Sequence, residues 1–293
     1  MSRSSLQTRL AARGFDGTTI LLLPGLAFMI ALFVYPFLYG VVDSLVPKDG
    51  GAWYANYAKF FSDPFQYNTI GATLWLALPV TIINLAFAVP VAFRVRLMRR
   101  QRLLTTILVL PITLGTVFVA DGLVTFLGPR GWFNHTLLLL GILDSPVKLT
   151  NNYWGVFASL LITGFPFAFL LTLSYVTGID PAIEQAAATL GAGPRRRFFR
   201  VFLPLLVPGL AVTFCLAFVQ AFAVFPSAVL LGAPAGPTRV ISIAAYQAAF
   251  EQYDHSLGSA IALIMGGVEL AVVLAVLGGR SFFYRGPAGG TKG

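Results

Sequence analysis

Asp180 to Pro208 reads DPAIEQAAATLGAGPRRRFFRVFLPLLVP, the longest polar, helix-compatible insert between two apolar spans of this chain. Glu184 to Leu190 is a run of strong helix formers broken only by Thr189. Asp180 suits the N-cap, and Pro181 falls where a first-turn proline is tolerated. Gly191 and Gly193 stop the helix, and Pro194 favours a second start. Arg195, Arg196, Arg197 and Arg200 follow, interleaved with Phe198, Phe199, Val201, Phe202 and Leu203. A short helix, a glycine turn and a basic-aromatic stretch leading into Pro204 predict an amphipathic structure at a membrane surface, with one face free to dock against a partner.

Working outward, the 293 residues are 57% hydrophobic and 11% charged, with a mean hydropathy of +0.81. Soluble domains are about a quarter charged, so the fold class is all-α and polytopic in a membrane. The expected spans are 19–42, 68–93, 103–127, 153–177, 205–231 and 256–278, each long enough to cross a bilayer. Residues 1–18 and 280–293 are expected as tails flanking a six-helix domain at 19–279. Within the loops, 137–143 is too short to cross, and 241–250 is a candidate short helix. No small-x-small cleavage pattern closes the first apolar run, so that run is expected to remain as a span.

The formal charge of +9 would suggest nucleic acid on one soluble face. Here it lies between apolar spans, so it orients the protein and no nucleic-acid partner is expected. With the N-terminus in the cytoplasm, fifteen of the 20 Lys and Arg residues fall on the cytoplasmic side. That bias predicts both termini and the Glu184 segment inside the cell. Arg94, Arg96, Arg99, Arg100 and Arg102 read as one such orienting cluster. Cys215 stands alone in an apolar run, and His135 and His255 are isolated, so no disulfide or metal site is expected. No Walker-type Gly-Lys motif, Gly-x-Ser-x-Gly elbow or His-Glu-x-x-His is present in the sequence. The chain is therefore not expected to be an enzyme, and energy for uphill transport would enter from outside it or from an ion gradient.

The 180–208 stretch resembles the membrane permease subunits of bacterial ABC importers. Their cytoplasmic signature is Glu-Ala-Ala, three residues, Gly, then nine residues and Ile-x-Leu-Pro. The match here runs Gln185, Ala186, Ala187, Gly191, Val201, Leu203 and Pro204. Gln185 occupies the signature glutamate position and Glu184 precedes it. One residue turns a helical side chain by about 100°, so Glu184 does not simply replace the missing carboxylate. Leu190-Gly191-Ala192, the compact N-terminus and Gly236-Pro237-Thr238 resemble the spermidine/putrescine branch.

The resemblance implies the type I importer fold in a bacterial inner membrane. It implies two permease subunits, here two different chains, and an external solute-binding protein. It also implies a pair of separate ATPases that hold ATP and magnesium, with no cofactor on this chain. Glu184, Gln185, Ala186, Ala187, Gly191, Ala192, Leu203 and Pro204 would form the ATPase-coupling segment. The small alanines would allow close approach, and Phe198, Phe199 and Phe202 would anchor the segment under the membrane. Other small solutes, namely thiamine, iron, opines or amino acids, stay open beside polyamines. So does an ion-coupled secondary transporter, although no internal repeat supports one.

Two acids fall inside expected spans, Asp121 and Glu269. Intramembrane carboxylates are costly and tend to face a cavity or partner, so both are candidate substrate-pathway groups for a polycation. The alternative is a hydrogen bond to a polar neighbour such as Asn84, Thr113 or Gln220, or, for Asp121, simple placement at the edge of its span. On the outer side, Tyr246, Phe250 and Tyr253 flank Glu251 and Asp254. An interfacial belt with a solvated rim is the favoured reading there, ahead of an amine site built on cation–π contacts.

Overall fold

The computed structural model describes residues 22–283. The expected tail at 1–18 lies outside them, as does most of that at 280–293. Every regular element among the described residues is helical. In chain order they are α1 (Leu23–Ser44), α2 (Ala55–Ser62), α3 (Pro64–Val95), α4 (Gln101–Thr113), α5 (Thr116–Leu127) and α6 (Trp132–Leu139). Then follow α7 (Tyr153–Thr177), α8 (Pro181–Thr189), α9 (Pro194–Phe222), α10 (Pro226–Leu231), α11 (241–251) and α12 (His255–Phe283). Five of these, α1, α3, α7, α9 and α12, are long and apolar enough to cross a bilayer unbroken.

The third crossing is not the single helix expected over 103–127. It breaks between α4 and α5, and the chain turns by 89°. Gly115 sits at the break with φ +76°, a conformation that costs a side-chain-bearing residue energy. The fifth crossing also differs from the expected 205–231. It starts at Pro194, and it stops at Phe222 because Pro226 opens a separate short helix. Pro204 does not interrupt it. A proline has no N–H to give, and the helix accommodates this by widening for one turn at Phe198–Phe202, where the Leu203 N–H reaches Phe198 O. The same device precedes Pro36, with the Tyr35 N–H reaching Ile30 O.

α3 is the centre of the bundle, packing along α7 and α9. Its buried positions include Gln66, Thr69, Thr73, Leu76, Val80, Asn84, Ala88, Ala92 and Val95, a stripe at helical period. Small and hydroxyl side chains dominate it, as they do where helices approach closely in lipid. The hydroxyls donate to their own helices: Thr73 to Thr69 O at 2.6 Å and Thr81 to Ala77 O at 2.8 Å. Across the bundle, Ser159 on α7 and Ser227 on α10 share a hydrogen bond of 2.8 Å. A second stripe places Phe169, Leu173 and Val176 of α7 with Phe202 and Leu206 of α9 around Ala88 and Ala92. α1 lies outermost, along α12, where Ser259 Oγ donates to Asp43 Oδ2 at 2.9 Å.

Connections meet at the two poles of this bundle. At one pole the short link after α3 touches α8 through Arg96 and Glu184. At the other, α2 and the turn before α12 meet where Lys59 pairs with Asp254 at 3.2 Å. Close approach at that second pole depends on Gly155, where an added Cβ would sit 2.2 Å from Leu149 O and 3.2 Å from Leu231 O. Backbone carbonyls cannot turn aside as a side chain can. Gly155→Ala should therefore lower stability by about 1–3 kcal/mol. Gly266→Ala on α12, where a Cβ meets nothing within 4 Å, should be neutral or stabilising by up to about 1 kcal/mol. Thermal unfolding of both variants in detergent checks the contrast.

Candidate functional site

α8 is built by local sequence at both ends. Asp180 Oδ1 accepts from the Ala182 N–H at 2.8 Å, and Pro181 opens the first turn. At the other end the Gly191 N–H reaches Ala188 O and the Ala192 N–H reaches Ala187 O, both at 3.0 Å. With Gly191 at φ +79°, this is the crossed pair of bonds that closes a helix on a left-handed residue. The helix is thus a self-contained peg between two turns.

Its outward side is apolar. Ile183 and Leu190 are exposed, Leu190 to 88%, with Ala186 exposed between them. Spacings of three and seven residues put the three side chains on one face. Gln185 and Gly191 are also exposed, whereas Ala187, Ala192 and Leu203 are half-buried and Pro204 is open. Glu184 turns the other way. It pairs with Arg96, whose side chain is only 7% exposed against 20% for the glutamate. The guanidinium lies 4.5 Å from the ring centres of both Phe93 and Phe202. Phe93 packs edge-on to Phe198 at 5.0 Å and to Phe202 at 4.7 Å. Of the five arginines read as one orienting cluster, Arg96 is set apart; Arg94, Arg99, Arg100 and Arg102 are exposed. Nothing in the sequence singles it out, because its partner lies 88 residues away.

A membrane bundle carrying a capped apolar peg on one short connection can be compared with known proteins. No protein-family model matches the sequence. The spermidine/putrescine transport system permease protein PotB of Haemophilus influenzae is 31% identical over 214 residues, covering 70% of this chain and 74% of the relative. The chain belongs to the permease subunits of ABC importers. PotB of Escherichia coli K12 is 28% identical over 212 residues, 69% of this chain and 77% of the relative. A probable sulfate transport system permease, cysT of Chlorokybus atmophyticus, is 29% identical over 261 residues, 88% and 86% of the two chains. Among solved structures, a chain of a bacterial ABC transporter that imports the acidic polysaccharide alginate superposes with a TM-score of 0.79. That match has 22% identity and covers 95% of this permease and 99% of the other chain. The MetNI methionine transporter gives a TM-score of 0.58 at 15% identity, covering 75% and 96%. These structural matches carry the fold, a multi-pass helical permease domain.

The two intramembrane acids of this permease are not brought together. Asp121 lies on α5, which packs on α10, α7 and α6, and its side chain is exposed. Glu269 lies on α12, which packs on α1, α9, α11 and α2. Its Oε1 is buried without a hydrogen-bond partner. The polar neighbours considered from sequence are engaged elsewhere: Asn84 donates to Leu160 O at 3.4 Å and Thr113 to Leu110 O at 2.7 Å. Asn84 and Gln220 instead line a partly open cavity of about 130 Å³ with Thr116, Thr163 and Ser227. No carboxylate lines it.

At the far pole, Tyr246, Phe250 and Tyr253 are exposed, and Tyr246 and Phe250 line an open groove of about 450 Å³ with Phe225 and His255. Asp254 is not part of that rim. It is buried, accepting from the Leu257 N–H and the Ser256 hydroxyl at 3.0 Å each and pairing with Lys59. Arg239 is buried at the same pole. It donates to Gln247 Oε1 at 2.9 Å and Phe65 O at 2.8 Å, and lies 4.2 Å from the Phe65 ring centre. Burial pulls its pKa down, with Asp63 and Glu251 opposing.

Burial pushes the Asp254 carboxyl up, yet the Leu257 amide, the Ser256 hydroxyl and Lys59 together hold it below its ordinary value. A depressed folded pKa contributes stability that is present above the unfolded value of about 3.9 and is lost as pH falls through the folded value. The melting temperature should therefore drop on acidification below about pH 4. Asp254→Asn should lower stability at neutral pH by about 1–3 kcal/mol and flatten that acid limb. Melting curves of both proteins across pH check the sign.

Proposed function

We propose that this permease forms half of a translocation pathway and couples ATP hydrolysis in a separate ATPase pair to uptake of a polycation of the spermidine/putrescine class. The pathway's other half would be a second, related permease, and an extracytoplasmic binding protein would deliver the solute. The membrane is read as a bacterial inner membrane, with α8 and both termini on the cytoplasmic side, as the arginine bias favours.

The face of Ile183, Ala186 and Leu190 supports the docking part of this reading. A peg with an 88%-exposed leucine at its tip, held rigid by caps at both ends, suits insertion into an apolar groove of a partner. Small alanines let the two backbones approach, and Gly191 lets the chain leave sharply. Leu190→Asp would put a charge into that groove. It should strip the ATPase from the purified complex, with about 2–4 kcal/mol lost from binding, while Arg99→Ala leaves the complex intact. Size-exclusion co-purification reads both.

One observation carries the substrate class. The relatives include both polyamine and sulfate permeases, so resemblance alone does not choose between a cation and a dianion. Beyond the basic first two turns of α9 (Arg195 to Arg200) and the terminal turns of the other spanning helices, the charged side chains among the described residues are Asp121 and Glu269. An amine finds ionic partners on such a path; sulfate finds none. Asp121 presents its carboxylate on the open side of α5 and Glu269 holds an unpaired oxygen on α12, which suits groups that wait for a passing cation.

Uptake of spermidine by the assembled transporter should fall about tenfold or more in Glu269→Gln, with a smaller loss in Asp121→Asn. Wild-type rate and apparent affinity in both variants would remove them from the pathway. Melting shifts of the cognate binding protein with spermidine, putrescine, thiamine, ferric ion and sulfate test the class independently. A shift with sulfate and none with the amines would overturn the polycation reading and leave the ABC permease assignment standing.

A further inference from the structure

α8 is joined covalently to α7 and α9, and both links are pliable. Gly178 and Ile179 precede it, and Gly191, Ala192 and Gly193 follow. A peg pushed from outside could swivel on such joints without moving the bundle. The helix at the bundle centre, α3, has no direct connection to α8: α4 to α7 lie between them in the chain. Yet the one buried arginine of the link after α3 reaches α8 and closes on Glu184.

The charges run in an ordered series. Arg96 is the C-cap of α3, where the helix carbonyls leave partial negative charge, and Glu184 sits in the first turn of α8, where the amides leave partial positive charge. Each side chain therefore complements its own helix end and then its opposite partner. The faces of Phe93 and Phe202 flank the guanidinium. They attract the cation and keep water away, which strengthens the ion pair. Since Phe202 is fully buried on α9, one guanidinium ties together α3, α8 and α9.

We propose that Arg96 is a positioning residue for energy coupling: the Arg96–Glu184 pair is a strut that makes α3 move with the ATPase-facing helix α8. This explains why Glu184, beside the position where the family signature has its glutamate, points inward and not at a partner. The proposal rests on α8 being the ATPase-facing helix. Removing either end of the strut leaves α8 hinged on its two glycine turns, so a push on it dissipates before it reaches α3.

The test uses the full transporter with its ATPase. Spin labels are placed on Leu97→Cys, just past α3, and Ala182→Cys, on α8, in a Cys215→Ser background; both labelled positions are exposed. Distances are measured without nucleotide and after trapping with ATP, magnesium and vanadate. With Arg96 and Glu184 in place, the distance should stay narrow and unchanged on trapping. In Glu184→Gln, which is isosteric, and in Arg96→Ala, it should broaden and lengthen on trapping. Arg96→Lys, which keeps the charge, should restore the narrow distance, and exposed Arg99→Ala should never lose it. An ATPase-bound Glu184→Gln complex as narrow as wild type through trapping overturns the strut. Loss of the ATPase from Arg96→Ala and Glu184→Gln complexes also overturns it, since the pair would then shape the docking surface and not carry motion. A wild-type permease that purifies without an ATPase removes the reading of α8 itself, a result the label distances cannot mimic.

Discussion

Close approach of helices is the constraint on which this permease depends. In a bilayer, helices gain little by hiding apolar surface from one another, because lipid tails are as apolar as leucine. What remains is dispersion across short interhelical distances, together with hydrogen bonds for every polar group that lipid cannot satisfy. The buried stripe of α3 meets both demands. Ala77, Ala88 and Ala92 let α7 and α9 come near, while Thr69, Thr73 and Thr81 return their hydroxyls to carbonyls one turn back. Glycine serves the same end on α7, where Gly164 would bring a Cβ within 2.7 Å of the Asn84 amide nitrogen.

Charge is then used sparingly, at the poles. Arg96 is buried among aromatic rings at one end and Arg239 is buried over Phe65 at the other. Each arginine cross-links a loop to the start or finish of α3. Neither stands in for the bulk of the basic residues, which stay exposed. The two poles differ in what they leave open. The Arg96 pole projects a capped apolar peg, and the Arg239 pole opens an aromatic groove.

Much of this was legible from residue types alone. Asp180, Pro181 and Gly191 mark the ends of α8 because capping is local chemistry, settled within four residues. The unbroken crossings were legible because bilayer insertion depends on length and apolarity. The broken third crossing and the early start and early end of the fifth were not. Hydropathy runs through Gly115 and Phe225 without a change, and backbone conformation is decided by what packs there. The reverse error was to treat Pro204 as a boundary, when one widened turn carries α9 past it. Asp254 looked like a rim carboxylate beside exposed tyrosines, yet three donors from the adjoining turn and α2 draw it inward.

The order of residues by itself settled that this chain crosses a membrane repeatedly, and that a capped helix stands between its fourth and fifth crossings. Both are matters of neighbouring residues and of total apolar length. The folded bundle decided which carboxylates stay unpaired, and which arginine out of five leaves water to meet Glu184 between two phenyl rings. Those outcomes join positions far apart in the chain, and a desolvated ion pair forms only where packing has already excluded solvent from both partners.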